Sequence, residues 1–342
     1  MGYTVTGFLD RNAQPGQTLD GLPVSTLEDW LTHNDPTRHT LMQALNSIHC
    51  WGELANLERR LLATGFPHIL TTTWFSFFQR DALPDRHYTF FHDGTEALYR
   101  AAVEKIEAFD TLLADDSSHQ WLESVVRFRL SGLASLLPPW HNQQYHPDDL
   151  PRWPNPLRFI DCGAYIGDTL NDLEKAGYDF EAIAAFDPNP ENFRQLVKNS
   201  AHYRNIVRFP CALGETLDIV NFENFAMGER SRVADKIPGT VATGTFQTAQ
   251  RVALDEVLPN FAPNLIKMDI EGSEPEALRG AREMIARYRP VLTISIYHEA
   301  AQLWEIPLML QDWNLDYRFY IRGHSPFSAD TVLYAIPASV LS

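Results

Sequence analysis

The sequence predicts an α/β protein whose C-terminal half is a doubly wound, mostly parallel sheet closed by an antiparallel hairpin. Three observations carry this. From Leu157 onward, short apolar strands alternate with helical segments. The first of those strands runs into a turn holding Gly163 and Gly167. The chain ends in two strand-like runs joined by a short, turn-rich loop. Strand–helix alternation specifies a parallel sheet with helices on both faces, whereas a short loop joins antiparallel neighbours.

The elements follow in order. Tyr3 to Leu9 is an apolar, β-branched run ending in Asp10, which predicts a strand. Thr26 to Leu31 predicts a short helix, with Thr26 and Asp29 spaced as a capping box. His39 to Leu45 reads as a second strand, Glu53 to Ala63 as a helix, and His68 to Thr73 as a third apolar segment. Next, Leu98, Ala102, Ile106, Phe109 and Leu113 recur every three or four residues and form one apolar stripe. Trp121, Val125 and Phe128 repeat the pattern after Ser117-Ser118, which reads as the N-cap. Gly132 to Pro156, rich in Pro, His and Asn, reads as a connector. The expected organisation is a partial Rossmann-like α/β domain over residues 1–90, a helical linker region over 91–154, and a third domain over 155–342.

In that third domain the predicted strands are Leu157–Cys162, Ala182–Phe186, Ile206–Leu213, Leu265–Ile270 and Val291–Tyr297. Helices are predicted over Gly167–Ala176, Pro190–Ser200 and Glu274–Arg287, and the closing hairpin over Tyr317–Ile321 and Thr331–Ile336. Phe225 to Gln250 is unusually long for a connector and carries Gly228, Gly239, Gly244, Arg230, Arg232 and Lys236. Long loops in compact domains are often binding loops, so this one is expected to help bind a substrate.

Bulk properties narrow the field. At 342 residues the chain exceeds one typical domain. Its 28 basic and 44 acidic side chains give a formal charge of -16, and such a surface repels phosphate backbones, so nucleic acid is not the expected substrate. No run of about 18 apolar residues occurs, so membrane insertion is not expected. The first residues lack the basic-then-apolar layout of a signal peptide. Cys50, Cys162 and Cys211 are widely spaced and form neither a disulfide framework nor a zinc pattern. They are expected to be structural, which fits a reducing cytoplasm, and no metal ligand is assigned.

The chemistry concentrates after Phe159. In Asp161-Cys162-Gly163-Ala164-Tyr165-Ile166-Gly167-Asp168-Thr169 a buried strand enters a glycine turn and then a helix. Glycine there lets the backbone approach a ligand, and the helix start offers free N–H groups to a carboxylate. Asp161, at the strand end, can face an ammonium. Carboxylate and ammonium together are what the methionine part of S-adenosylmethionine presents. The next strand ends Phe186-Asp187-Pro188-Asn189-Pro190, and one carboxylate in Asp187's place can accept hydrogen bonds from two ribose hydroxyls. Asn189 and Pro190 form a sound helix start.

These stretches, with Phe186 to Phe193, Cys211-Ala212-Leu213-Gly214 and Ile266-Lys267-Met268-Asp269-Ile270-Glu271-Gly272-Ser273-Glu274, resemble the ordered motifs of the FkbM family of methyltransferases. The resemblance continues through Tyr297-His298-Glu299 and Thr331 to Ala335, and covers roughly the last half of the chain. It implies a class I methyltransferase fold, Rossmann-like, with S-adenosyl-L-methionine as donor and O-methylation of a sugar or other small molecule. By that resemblance Gly163 and Gly167, with Ala164, Tyr165, Asp168 and Thr169 around them, line the methionine end. Asp187 holds the ribose, flanked by Pro188 and Asn192, and Ala212 and Leu213 lie beside adenine. Tyr165 departs from the small polar residue usual in the family.

Lys267, Asp269 and Glu271 alternate along a strand leaving the sheet and can share one face at its C-terminal edge, where ligands of open α/β sheets bind. Ser273 and Glu276 read as a capping box, with Pro275 in the first helical turn. Methyl transfer is an in-line displacement on an activated donor, so the protein's task is alignment. A hydroxyl acceptor must also lose a proton. His298 is the candidate base because its ordinary pKa lies near neutrality. Asp269 is the second candidate, and Lys267 or Glu271 would orient the acceptor.

The N-terminal segment resembles the second half of a Rossmann-like nucleotide-binding domain whose opening strand, glycine loop and helix are absent, so the chain is expected to start late. Without the phosphate-holding turn, residues Met1 to Asp85 should not bind a dinucleotide. Partner binding, assembly of a homo-oligomer, or recognition of the small-molecule or glycan acceptor are the expected roles. Two rival readings are a nicotinamide-dependent oxidoreductase and a non-catalytic nucleoside-binding sensor or scaffold. The terminal hairpin and the Lys267 to Glu274 segment argue against the first.

Overall fold

A computed structural model describes residues 4–42, 51–66, 68–70, 96–224, 231–233, 245–325 and 328–341. By its contacts the chain divides into two compact units, residues 1–83 with 132–135, and residues 84–131 with 136–342.

The first unit is small. Phe8–Leu9 pairs in parallel with Leu22–Ser25, which turns back antiparallel on Thr18–Leu19. Thr26 caps the helix Leu27–His33 by accepting the Asp29 N–H at 3.1 Å, as its spacing predicts. Thr40–Met42 and His68–Leu70 pair in parallel around the helix Trp51–Ala63. Leu61 and Phe66 pack with Leu27, Trp30 and Leu41 to form its core. The first predicted strand, Tyr3–Leu9, shortens to Phe8–Leu9, because residues 4–7 are irregular; residues 1–3, 43–45 and 71–73, and Cys50, lie outside the described residues.

The second unit opens with α1 (Glu96–Ala101), α2 (Val103–Leu112) and α3 (Asp116–Ser131). Its sheet elements are β1 (Leu157–Cys162), α4 (Asp168–Lys175), β2 (Phe180–Phe186), α5 (Pro190–Asn199) and β3 (Ile206–Phe209). An excursion follows through β4 (Ala212–Leu213), β5 (Asp218–Asn224), β6 (Ser231–Val233) and β7 (Thr245–Val252). The chain then returns through α6 (Leu254–Val257), β8 (Leu265–Met268), α7 (Glu274–Arg279), α8 (Arg282–Tyr288), β9 (Val291–Ser295), α9 (Gln302–Asp312), β10 (Tyr317–Gly323) and β11 (Thr331–Pro337).

Seven strands form the central sheet in the order β10-β11-β9-β8-β1-β2-β3. β3, β2, β1, β8 and β9 run parallel, and β11 is antiparallel to both β9 and β10. This is the expected doubly wound sheet with its closing hairpin. Both faces are covered, which is why its strands are mostly apolar. Ile160, Cys162, Ile266, Met268, Leu292 and Ile294 face a core that includes Leu278 and Ile285 of α7 and α8 and Trp304 of α9. Leu157, Phe159, Leu265 and Val291 face the other core, with Leu170 and Leu196.

Several expectations change. The helices expected as a linker belong to this unit: Ala114 N–H donates to Phe319 O at 2.9 Å, and α3 packs on β10. Helix α3 starts at Asp116, not after Ser117-Ser118, because the Asp115 carboxylate accepts the Ser118 N–H at 2.9 Å and is the cap. Ser118 is instead buried, and its Oγ accepts from Ile321 N–H at 3.0 Å and from Arg322 at 2.9 Å. The strand predicted over Ile206–Leu213 splits into β3 and β4 at Pro210, which has no N–H for a ladder. The helix predicted over Glu274–Arg287 breaks at Gly280, where a Cβ would meet Gly214 O at 2.0 Å. Only a glycine permits that approach. Ser273 makes no side-chain cap. Helix α9 has no counterpart in the sequence reading: Pro307 inside it reads as a breaker, yet Leu303, Trp304, Ile306 and Leu310 bury its apolar face. Within the long segment 225–250, residues 225–230 and 234–244 lie outside the described residues, and the rest contributes β6 and β7. Cys162 is buried and Cys211 half-buried, both as free thiols.

Candidate active site at the carboxyl edge of the sheet

The sheet winds one way from β1 through β2 to β3 and the other way from β8 to β9. The order reverses between β1 and β8, and it is outside the carboxyl ends at such a reversal that open α/β sheets bind their ligands. The loops after β1, β2, β8 and β9 therefore meet there, and these four loops carry most of the residues that the sequence singles out.

After β1 the chain turns sharply. Gly163 and Ala164 donate their N–H groups to Phe186 O at 3.0 and 2.8 Å, tying this turn to the end of β2. Gly163 has φ +83°, and a Cβ on it would lie 1.9 Å from Asp269 O. A side chain is excluded both by the backbone conformation and by the loop after β8. Tyr165 also takes a left-handed φ, +46°. Gly167 (φ +86°) then starts α4, with Asp168 exposed in its first turn and Thr169 buried.

Asp187 follows β2 and is buried at 6 % exposure. It accepts the Asn189 N–H at 2.8 Å and a backbone N–H from Tyr165. Burial outweighs these bonds and pushes its carboxyl up to about 7. Asn189 caps α5 by accepting from Glu191 and Asn192 N–H groups, and Asn192 is buried beside Asp187's loop while Pro188 is half-buried. Ala212 and Leu213 form β4 against Arg251 and Val252 of β7, with Ala212 half-buried and Leu213 in the core.

Lys267, on β8, is buried. Its Nζ donates to Gly163 O at 2.6 Å, lies 3.0 Å from Asp161 Oδ1, and sits 5.3 Å from the centre of the Tyr145 ring. Burial works against its charge, but Asp161, Asp269 and Asp168 outweigh it and raise its pKa. The ammonium that Asp161 faces is thus Lys267's, and Lys267 is engaged by the glycine turn. Burial raises the Asp161 carboxyl against the pull of Lys267, and neither of its oxygens completes a hydrogen bond among the described residues.

The structure brings Asp269, Glu271 and His298 together, as the sequence reading requires. His298 Nε2 lies 3.3 Å from Asp269 Oδ1 and 3.6 Å from Glu271 Oε2. Two residues join them that sequence reasoning missed. Glu274, fully buried at the start of α7, places Oε1 2.9 Å from His298 Nδ1. It also accepts Ile270 N–H at 2.9 Å and Gln302 Nε2 at 2.9 Å. Tyr145 donates its O–H to Asp269 Oδ2 at 2.8 Å. Glu274 reads from sequence as an ordinary first-turn acid. Tyr145, in the connector at φ +76°, carries no local signal at all.

The electrostatics bear on both candidate bases. Burial disfavours charge on His298, but Glu274, Glu271 and Asp269 outweigh it and hold the imidazole's pKa well above its ordinary value. An imidazolium has no lone pair for a proton. Asp269 is half-buried, and His298, Lys267 and Tyr145 outweigh its desolvation and hold its carboxyl well below the usual range. In the ligand-free chain these shifts favour an Asp269 carboxylate beside a protonated His298.

Residues 161–319 match the family model of the methyltransferase FkbM domain. A solved structure titled methyltransferase FkbM, from Methylobacillus flagellatus KT, is similar at a TM-score of 0.65 and 23 % identity, covering 94 % of this chain and 80 % of that one. Aeropyrum pernix fibrillarin, solved with bound S-adenosyl-L-methionine, matches at 15 % identity and a TM-score of 0.32, over 53 % of this chain and 67 % of that one. No curated protein matches the chain. No helix among the described residues is long and apolar enough to cross a membrane.

Proposed function

From the premise that residues 161–319 form a methyltransferase FkbM domain, we propose that this protein O-methylates a sugar or other small-molecule or glycan hydroxyl, with S-adenosyl-L-methionine as donor. The observation that carries the reading is the meeting of three features at one sheet edge: the glycine turn after β1, the buried Asp187 after β2, and the Asp269–His298 pair after β8 and β9.

The residues present fit the donor. Asp187 is a buried carboxylate whose raised pKa registers unmet demand for hydrogen-bond donors, and two ribose hydroxyls supply them. The turn from Gly163 to Gly167 leads into the N-terminus of α4, whose first N–H groups suit a carboxylate. Asp161 retains an oxygen with no hydrogen bond. The bound donor supplies an activated methyl on a sulfonium, so the protein's work is alignment and handling of the acceptor proton. Asp269 accepts a hydrogen bond from the acceptor hydroxyl and orients it. Tyr145 fixes the Asp269 carboxylate from one side and His298 from the other. Lys267 holds the glycine turn in register with β8.

Calorimetric titration with S-adenosyl-L-methionine and with NAD tests the class. Micromolar binding of the first alone, followed by methyl incorporation in a sugar-hydroxyl acceptor screen, is the expected result. Binding of NAD alone would overturn it. In the same assay Asp269→Asn should lose turnover while keeping donor affinity, and unchanged turnover would remove Asp269 from the mechanism.

A further inference from the structure

Asp269 and Glu274 place two carboxylates within 3.3 Å of the two nitrogens of one imidazole, while the nearby Lys267 is matched by Asp161. One donor atom each from Asp269, Glu274 and His298 lies within 4.8 Å of the others. The His298 side chain is 5 % exposed, and neither ring nitrogen completes a hydrogen bond among the described residues. Buried imidazoles ordinarily satisfy at least one nitrogen, so this ring is aimed into the cluster without the geometry that an ordinary structural histidine has.

We propose that Asp269, Glu274 and His298 bind one divalent cation, with Glu271 at the rim of the site. Two carboxylates and one imidazole, with no thiolate, suit Mg2+, Mn2+ or Zn2+ and disfavour a soft ion. Binding displaces the ring proton of His298 to solvent, so that the imidazole lone pair meets the dication, and the dication takes over the pairing of the Asp269 and Glu274 carboxylates. The fold positions the donors on fixed supports, from the ends of adjacent strands β8 and β9 and the start of α7. Glu274 is further held by Ile270 N–H and Gln302. The carboxylates and the ring are therefore pre-assembled and pay little ordering cost on binding. On the methyl-transfer reading, the ion lies on the acceptor side and can take the acceptor hydroxyl at an open position, lowering its pKa. Cation binding itself does not depend on that reading.

The test titrates the full chain with Mn2+ alone, without S-adenosyl-L-methionine, following the loss of the free-ion electron paramagnetic resonance signal. The expected result is one Mn2+ per chain, displaced by Mg2+ or Zn2+, with affinity weakened at least tenfold in His298→Ala and in Asp269→Asn. Asp149→Asn, in the separate His141–Asp148–Asp149 cluster, should leave it unchanged. Sub-stoichiometric Mn2+ should also broaden the His298 ring resonances of the wild-type protein selectively, a readout that survives if a variant does not fold. The proposal is overturned by absence of bound Mn2+, by binding that persists in both site variants, by binding that disappears only with Asp149→Asn, or by unbroadened His298 signals. Mn2+ binding without S-adenosyl-L-methionine binding would leave the cation site standing and remove the methyltransferase reading; the reverse would do the opposite.

Discussion

Replacing Asp187 by Asn should stabilise the ligand-free protein above neutral pH while weakening its hold on the donor. Burial lifts the Asp187 carboxyl from its ordinary value to about 7, so the native state keeps a proton that the unfolded chain has released. Its contribution to stability is complete below about pH 4 and is lost as pH rises through 7. One proton is worth about 1.4 kcal/mol per pH unit while it stays bound, so the wild type should lose about 1.4 kcal/mol through this group between pH 6 and pH 8.5, most of it before the carboxyl ionises near 7. Asparagine cannot ionise, and its carbonyl oxygen can still accept the N–H groups of Asn189 and Tyr165. The difference in unfolding free energy between variant and wild type should therefore grow by about 1.4 kcal/mol over that range. Urea denaturation of both proteins, without ligand, at pH 6 and pH 8.5 measures it. A difference that stays constant within about 0.5 kcal/mol would refute the reasoning, because Asp187 would then already be ionised when folded. At pH 8.5 the same substitution should weaken S-adenosyl-L-methionine binding at least tenfold, since hydrogen bonds to a charged group contribute about 1.5–3 kcal/mol.

Other outcomes follow from the geometry. Gly163→Ala places a Cβ 1.9 Å from Asp269 O at a left-handed φ and should cost about 2–4 kcal/mol, read by thermal or urea unfolding; an unperturbed midpoint contradicts the tight contact between the two loops. Tyr145→Phe removes the O–H that steadies Asp269 and should lower kcat several-fold with donor affinity unchanged, so equal kcat would assign Tyr145 a packing role alone. Arg322→Met strands the partly exposed carboxylates of Asp115 and Asp149 and should cost about 2–3 kcal/mol, measured by denaturant titration; a neutral effect would mean that α3 is held on β10 by apolar packing alone.

The sheet strands were legible because each is a short apolar run bounded by turn residues. β1 coincides with its predicted span, and β2, β8 and β9 differ from theirs by only one or two residues at an end. Helix α9 was not legible, since a proline in its interior masks a periodicity that only the packing of Trp304 and Leu310 makes evident. The cap of α3 was misread by one turn because Asp115 and Ser118 are both good caps in isolation. What chose between them was the burial of Ser118 against Ile321 and Arg322, more than two hundred residues away in sequence.

The candidate site divides in the same way. Sequence alone determined the glycine turn, Asp187 at the end of its strand, and the charged alternation of Lys267, Asp269 and Glu271, because those signals lie within a few residues of each other. It also determined the sheet type, because strand–helix alternation has few topological solutions. Only the tertiary structure decided which charges meet. Lys267 turned inward to Asp161 and Gly163 O, Glu274 proved to be a buried partner of His298, and Tyr145 reached Asp269 from the connector. The titration of His298 followed from those contacts: an imidazole poised near neutrality in isolation has its pKa raised when carboxylates from three positions approach it at 5 % exposure. Local patterns fix where a chain extends or coils, but the charge state of a buried group depends on distances between segments that no local pattern encodes.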